Sequence, residues 1–272
     1  MSTVPKLPIY SASFLGTTGN VIVSGRRPFF YIYDAAAGSL DLIPRITGRE
    51  EKSLEKFTAS PDGRTVAFCG NDGYIILFDT QGKHWISDLK INGSVRSICF
   101  SPNGEQLLAS GSDGDVYRWD LRHQKRAVCI ERFTNEDGTI TSSLASSSKH
   151  LAVGAESGVV NLYNEQSRLP SGIDRSLLQR REPIKSIMNL RTSADSVRFN
   201  DDGQILAMST RRETHGLKLL HVPTATVFSN WPTSKTPLSY VWSMDFSPGS
   251  KFFAVGNDKG KCLLYRLVHY QE

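Results

Sequence analysis

Apolar and polar residues alternate along this chain in runs of four to seven, with turn residues between the runs. No long stretch has the 3.6-residue period of an amphipathic helix, so the pattern predicts strands. The clearest stretch, Ser97 to Asp120, reads S-I-C-F-S-P-N-G-E-Q-L-L-A-S-G-S-D-G-D-V-Y-R-W-D. Ser97–Phe100 predicts a strand, and Ser101-Pro102-Asn103-Gly104 a type I turn with Pro second and Gly fourth. Gln106–Ser110 predicts a second strand, Asp113-Gly114 a reversal, and Val116–Trp119 a third strand. A three-strand meander cannot bury both of its faces alone, so copies of it must stack.

Copies are present. Phe57 to Asp79 carries Ser60-Pro61-Asp62-Gly63 and Asn71-Asp72-Gly73, 41 residues earlier (Pro102 − Pro61). Phe246-Ser247-Pro248, Gly256-Asn257-Asp258 and Tyr265 form another copy. Weaker copies run from Phe14 to Asp34, from Leu151 to Asn164 without the Ser-Pro turn, and from Val197 to Val222. Apolar segments between them, Leu40–Ile46, His84–Lys90, Ala127–Phe133, Ile184–Leu190 and Thr226–Trp231, each predict a fourth, outer strand. Units of about 40 residues and four strands have the period of β-propeller blades. The expected fold is therefore all-β, with six four-stranded repeats in a single propeller domain over residues 1–272.

Composition adjusts this picture little. The 22 glycines and 12 prolines fall mostly between strands, and no run approaches 18 apolar residues. The N-terminus has no apolar signal-peptide core, so the sequon Asn92-Gly93-Ser94 carries no expectation of glycosylation. Cys69, Cys99, Cys129 and Cys262 are widely spaced within predicted strands, which predicts buried free thiols rather than a metal or disulfide framework.

No G-x-S-x-G, H-E-x-x-H or G-x-x-x-x-G-K-[ST] motif occurs, and the six histidines are scattered. No catalytic residue, metal or cofactor is expected. Asp72, Asp113 and Asp258 recur at one repeat position, where Asp beside Gly is turn chemistry. Ser110, Asp113 and Trp119 are candidates for a hydrogen-bonded cluster tying strands together, as in WD-repeat proteins. The histidine that completes that cluster falls here near Asn92-Gly93 and is missing.

The formal charge is +5, from 32 Lys and Arg against 27 Asp and Glu. Much of the excess lies in connections. One cluster holds Arg122, Lys125 and Arg126; another holds Arg168, Arg175, Arg180, Arg181 and Lys185 against Asp174 and Glu182, a net of +3 (5 − 2). Arg26-Arg27 and Arg211-Arg212 occupy hairpin tips. These residues are the candidate contacts to RNA phosphate or to a partner, without interleaved aromatics for base stacking. The repeat rhythm breaks at Gln166–Glu182, which reads as a flexible surface insertion with no strand before Ile184.

Several stretches outside the turns resemble one family. They include Gly158-Val159-Val160-Asn161-Leu162-Tyr163-Asn164, Pro183-Ile184-Lys185-Ser186-Ile187-Met188-Asn189-Leu190, Val227-Phe228-Ser229-Asn230 and Met244-Asp245-Phe246-Ser247-Pro248. Propeller turn chemistry does not demand the Pro183–Leu190 and Val227–Asn230 segments. The resemblance, from about Phe14 to Tyr270, is to the WD-repeat propeller domain of the U3 small nucleolar RNA-associated protein 18 family. It implies a non-enzymatic nucleolar scaffold of the small-subunit processome. The implied partners are other propeller and helical-repeat proteins, the U3 small nucleolar ribonucleoprotein and pre-ribosomal RNA, with no membrane and no small-molecule substrate. The same resemblance implies an N-terminal extension with a helicase-docking motif, upstream of the matched part. The competing classes are a propeller scaffold of another complex, such as a ubiquitin-ligase substrate receptor, and a propeller enzyme with a channel metal.

The family's propeller is expected to have seven blades, whereas six copies are visible here. The expected arrangement is a seven-bladed propeller without its first blade. The alternative is a closed six-bladed ring in which Lys6–Tyr10 supplies the outer strand of the last sheet.

Overall fold

The computed structural model of the protein describes residues 7–123, 127–165, 179–233 and 235–270. It is all-β, with six successive sheets as the blades of a propeller fold. The first sheet is β1 (Ser11–Phe14), β2 (Val21–Ser24), β3 (Phe30–Asp34) and β4 (Ser39–Ile43), in that order. The second is β5 (Phe57–Ala59), β6 (Thr65–Cys69), β7 (Tyr74–Asp79) and β8 (His84–Lys90). The third contains β9 (Val95–Phe100), β10 (Gln106–Gly111), β11 (Asp115–Asp120) and β12 (Val128–Thr134). The fourth contains β13 (Thr141–Ser146), β14 (His150–Ala155) and β15 (Val160–Asn164). Before its outer strand the chain forms β16 (Gln179–Arg180), which pairs parallel to β12, so the third sheet has five strands. The outer strand β17 (Lys185–Ile187) then joins β15. The fifth sheet is β18 (Ser196–Phe199), β19 (Ile205–Ser209), β20 (Leu217–His221) and β21 (Thr226–Val227). The sixth has three strands, β22 (Val241–Phe246), β23 (Phe252–Asn257) and β24 (Cys262–Arg266).

The turns explain why these residues form these strands. In the second sheet the Ser60 hydroxyl accepts the Thr65 amide at 3.0 Å, and the Gly63 amide reaches the Ser60 carbonyl at 2.9 Å. Ser101 does the same for Gln106 at 3.0 Å, and Ser247 for Phe252 at 2.9 Å. The fifth sheet has lost the Ser-Pro pair, yet the Asn200 carboxamide oxygen holds the Ile205 amide at 2.8 Å. In the fourth, Ser147 holds the His150 amide at 3.0 Å across a shorter turn. Gly63 cannot be replaced, because its φ is +71° and a Cβ there would lie 2.4 Å from the Leu15 carbonyl carbon.

The chain divides into two compact units, 1–113 with 117–131, and 114–116 with 132–272. In the first unit, Phe30, Phe68 and Phe78 pack edge-on or tilted at 4.9–5.2 Å between the first two sheets. A second cluster joins Leu77, Leu89, Leu107 and Trp119. In the second unit, Leu162, Ile187, Leu206 and Leu220 form one cluster and Leu219, Met244, Phe253 and Val255 another. The central strands are buried on both faces, as β6 and β14 show, whereas β1 alternates between half-buried and exposed.

One alternative and one expectation are corrected. Of Lys6–Tyr10, the alternative's outer strand for the last sheet, the described residues Leu7–Tyr10 lie on the first sheet instead: the Tyr10 amide reaches the Ser24 carbonyl at 2.9 Å, and Leu7, 6% exposed, packs on Val23 and Tyr31. Nor are the four thiols buried: none forms a disulfide, Cys69 and Cys99 are half-buried, and Cys129 on β12 and Cys262 on β24 are exposed.

The side-chain clamp gives a direct test. Ser101→Ala strands the Gln106 amide and is expected to cost about 1–2 kcal/mol, lowering Tm by a few degrees. Ser101→Asn, which imitates Asn200, should recover most of that loss in thermal denaturation.

Candidate interaction surfaces

The predicted strand-bracing cluster does not form. Ser110 is buried, but its hydroxyl has no hydrogen-bond partner among the described residues. Asp113 instead accepts the Tyr117 hydroxyl at 2.6 Å, and the Tyr117 ring stacks on Trp119 at 5.6 Å. Bracing passes to charged groups along β11 and β12. The buried Asp115 carboxylate takes Arg132 Nε and Thr134 Oγ1, both at 2.7 Å. Arg118, fully buried, meets Glu131 at 2.8 Å and the Gln106 carboxamide at 3.0 Å. Asp72 and Asp258 lie in turns. Asp258 Oδ1 accepts the Tyr240 amide at 3.1 Å, and the Ser239 hydroxyl beside it holds its carboxyl below the usual range. Among the described residues no three His, Cys, Asp or Glu side chains converge as metal ligands.

The basic candidates separate into different environments. Lys125, Arg126, Arg168 and Arg175 lie outside the described residues, as does most of the predicted insertion. Arg122 is exposed, with its guanidinium held by Asp120 at 2.5 Å; that hydrogen bond lowers the Asp120 pKa to about 2. Lys185 is exposed on β17. Arg180 contributes its backbone to β16 opposite Thr134.

Arg181 corrects the reading of this segment. It is 4% exposed, not a surface cation. Its guanidinium lies over the rings of Phe133 (5.4 Å) and Tyr163 (5.7 Å) and donates to the Asn164 carbonyl. Below it the Tyr163 hydroxyl bonds Asn135 Oδ1 at 2.8 Å and receives the Glu136 amide at 3.0 Å, while Asn161 Nδ2 reaches the same Asn135 oxygen at 2.9 Å. The polar network and the cation–π contacts seat the chain here, so 179–181 belongs to the packed structure and a strand does occur before Ile184.

A grouping absent from the sequence reading involves the hairpin tip after β19. Arg211 and exposed Arg212 lie there, and the Arg211 guanidinium carbon sits 5.3 Å from the ring centre of Trp242, which is 50% exposed. Tyr240, also exposed, bridges to Thr214, and the His215 amide reaches the Ser239 carbonyl at 2.9 Å. Cations beside an open indole face can stack on a planar group and contact a phosphate. Thirty positions of sequence separate the two halves of this group (Trp242 − Arg212), which hid it.

The family described as WD domain, G-beta repeat matches residues 86–120 and 232–266. The chain is 47% identical over 266 residues, 97% of its length, to the U3 small nucleolar RNA-associated protein 18 homolog of Arabidopsis thaliana. It is 38% identical over 98% of its length to the homolog of Homo sapiens, and 31% identical over 92% to U3 small nucleolar RNA-associated protein 18 of Saccharomyces cerevisiae. The chain spans about half the length of these relatives, 47–48% of each.

The buried network predicts an alkaline response. Burial pushes the Tyr163 phenol from 10.0 up to about 12, so the folded state holds that proton more tightly than the unfolded chain. Its stabilising contribution is complete below pH 10 and is lost as pH rises toward 12. Tyr163→Phe should lower stability near neutrality by about 1 kcal/mol. It should also flatten the decline above pH 10, read by urea unfolding at a series of pH values.

Proposed function

We propose that this chain, related along nearly its whole length to the U3 small nucleolar RNA-associated protein 18 family, is a non-catalytic scaffold of the small-subunit processome. On this reading it acts in the nucleolus, in the processing of pre-18S ribosomal RNA and the assembly of the small ribosomal subunit. The observation that carries it is the 47% identity spread over 97% of the chain, well beyond the positions that propeller turns require. Other propeller and helical-repeat proteins, the U3 ribonucleoprotein and pre-ribosomal RNA are the partners. The fold suits such a role, since stacked sheets leave their turns and connections as the variable surface.

RNA phosphate contact is assigned to exposed Lys185 and to the basic connections carrying Arg122, Lys125, Arg126, Arg168, Arg175 and Arg180. Arg211, Arg212 and Trp242 add a face on which a base can stack.

Affinity purification of the tagged protein followed by sequencing of bound RNA tests the reading. U3 RNA and precursor ribosomal RNA are expected; their absence, with another complex recovered instead, overturns it. Within that framework Trp242→Ala is expected to cost about 1–3 kcal/mol of single-strand binding. Arg211→Glu with Arg212→Glu should reduce the salt dependence of that binding. Unchanged cross-linking and an unchanged salt slope would remove this face from the RNA path.

A further inference from the structure

Phe133, Tyr163 and Asn164, the residues that hold Arg181, are anchored without it. Phe133 lies near the end of β12 and is buried, and its ring meets the buried Tyr163 ring of β15 at 5.3 Å and 66°. The Tyr163 hydroxyl is tied to Asn135 at 2.8 Å and to the Glu136 amide at 3.0 Å, which fixes the ring's orientation. β15 itself is paired on both sides, to β14 and to β17. The Asn164 carbonyl completes the group: it accepts from the guanidinium, while both rings face the same cation at 5.4 and 5.7 Å. These contacts ask for a planar cation that stacks on a ring and donates from its rim. A guanidinium does both, whereas an ammonium is a point charge and does not stack.

The occupant is held differently from its receptor. Arg181 follows β16, whose whole ladder is Phe133↔Gln179 and Thr134↔Arg180. Parallel pairing this short contributes little by itself. Past exposed Glu182 the chain is anchored again at the Ile184 amide, which reaches the Leu162 carbonyl at 2.7 Å. Release of 179–181 leaves the third sheet with β9 to β12 and the fourth with β13, β14, β15 and β17. Emptying the site therefore breaks no blade. A rigid receptor is filled by one side chain on a short tether.

We propose that Phe133, Tyr163 and the Asn164 carbonyl form a guanidinium-binding site, filled within the chain by Arg181, that takes an arginine side chain of a partner protein when 179–181 swings out. Arg181 is then an internal competitor. It weakens the partner's apparent affinity in proportion to the fraction of chains in which the site is filled. A segment with several arginines overcomes this competition by mass action, and one with lysines in their place does not. The ligand is a protein side chain, and the proposal stands apart from U3 association, since its test contains no RNA.

The test uses the full chain and a fluorescein-labelled peptide of alternating Arg and Ala, with a Lys-Ala peptide of the same length and charge beside it, read by fluorescence anisotropy. Arg181→Ala is expected to bind the arginine peptide about ten-fold more tightly than the unchanged chain, because the internal competitor is gone. Its binding of the lysine peptide should stay within about two-fold. Phe133→Leu added to Arg181→Ala, with the fold confirmed by circular dichroism, should remove the gain. No gain, an equal gain for the lysine peptide, or a gain that survives Phe133→Leu overturns the proposal. A second measurement on the unchanged chain keeps the test independent of whether Arg181→Ala folds. At saturating arginine peptide, hydrogen exchange at 179–181 should accelerate about ten-fold or more while exchange in β15 stays the same. Unchanged exchange at 179–181, or acceleration that extends through β15, also overturns it.

Discussion

A single oxygen at the head of the first hairpin sets where the second strand of a blade begins. In five of the sheets that oxygen belongs to Ser60, Ser101, Ser147, Asn200 or Ser247, and it accepts the first amide of the strand that follows. Slipping the strand by one residue would break this bond and turn every apolar side chain to the opposite face. Because both faces of the central strands are buried, that slip has no low-energy outcome. Register, packing and stacking of neighbouring sheets therefore all depend on a contact made within half a dozen residues. Asn200 shows that the requirement is for a short acceptor and not for serine or for the following proline.

Sheet-to-sheet stacking then supplies much of the apolar burial, and the charged groups that enter the third sheet do so with partners of opposite charge. The bonds of Asp115 to Arg132 and Thr134, and of Arg118 to Glu131 and Gln106, cross between strands of the third sheet. Charge-assisted bonds of this kind are costly to break, because removing Arg132 or Glu131 takes an opposite charge away from buried Asp115 or Arg118. They take over the bracing role left open by the missing histidine near Asn92-Gly93, at positions set by the β11–β12 pairing.

The basic residues illustrate how one residue type serves different ends. Arg122 is held by its neighbour Asp120, which reduces the field it presents outward. Arg181 spends its charge on two aromatic rings and a carbonyl and fastens the end of a long connection. Arg211 sits against an indole that remains half open to solvent. Their shared charge in the sequence conceals three distinct environments.

What the chain determined by itself was local. Period-two alternation, Ser-Pro-x-Gly turns and Asp-Gly reversals act within a few residues, so the strands, six repeats and propeller class were legible from Phe14 to Tyr265, and most of the outer strands with them. Family likeness was legible for a related reason, because segments such as Pro183–Leu190 are not demanded by turn geometry. Tertiary structure decided whatever depended on residues far apart in the chain. Arg181 looks in the sequence like any other cation of its stretch, yet it is buried because Phe133 and Tyr163 present their faces to it. Arg211 meets Trp242, Leu7 packs on Tyr31, and Gln179–Arg180 joins β12, none of which follows from local spacing. The physical reason is that strand propensity and turn chemistry are properties of a short window, whereas burial and partner choice come into being only when sheets meet.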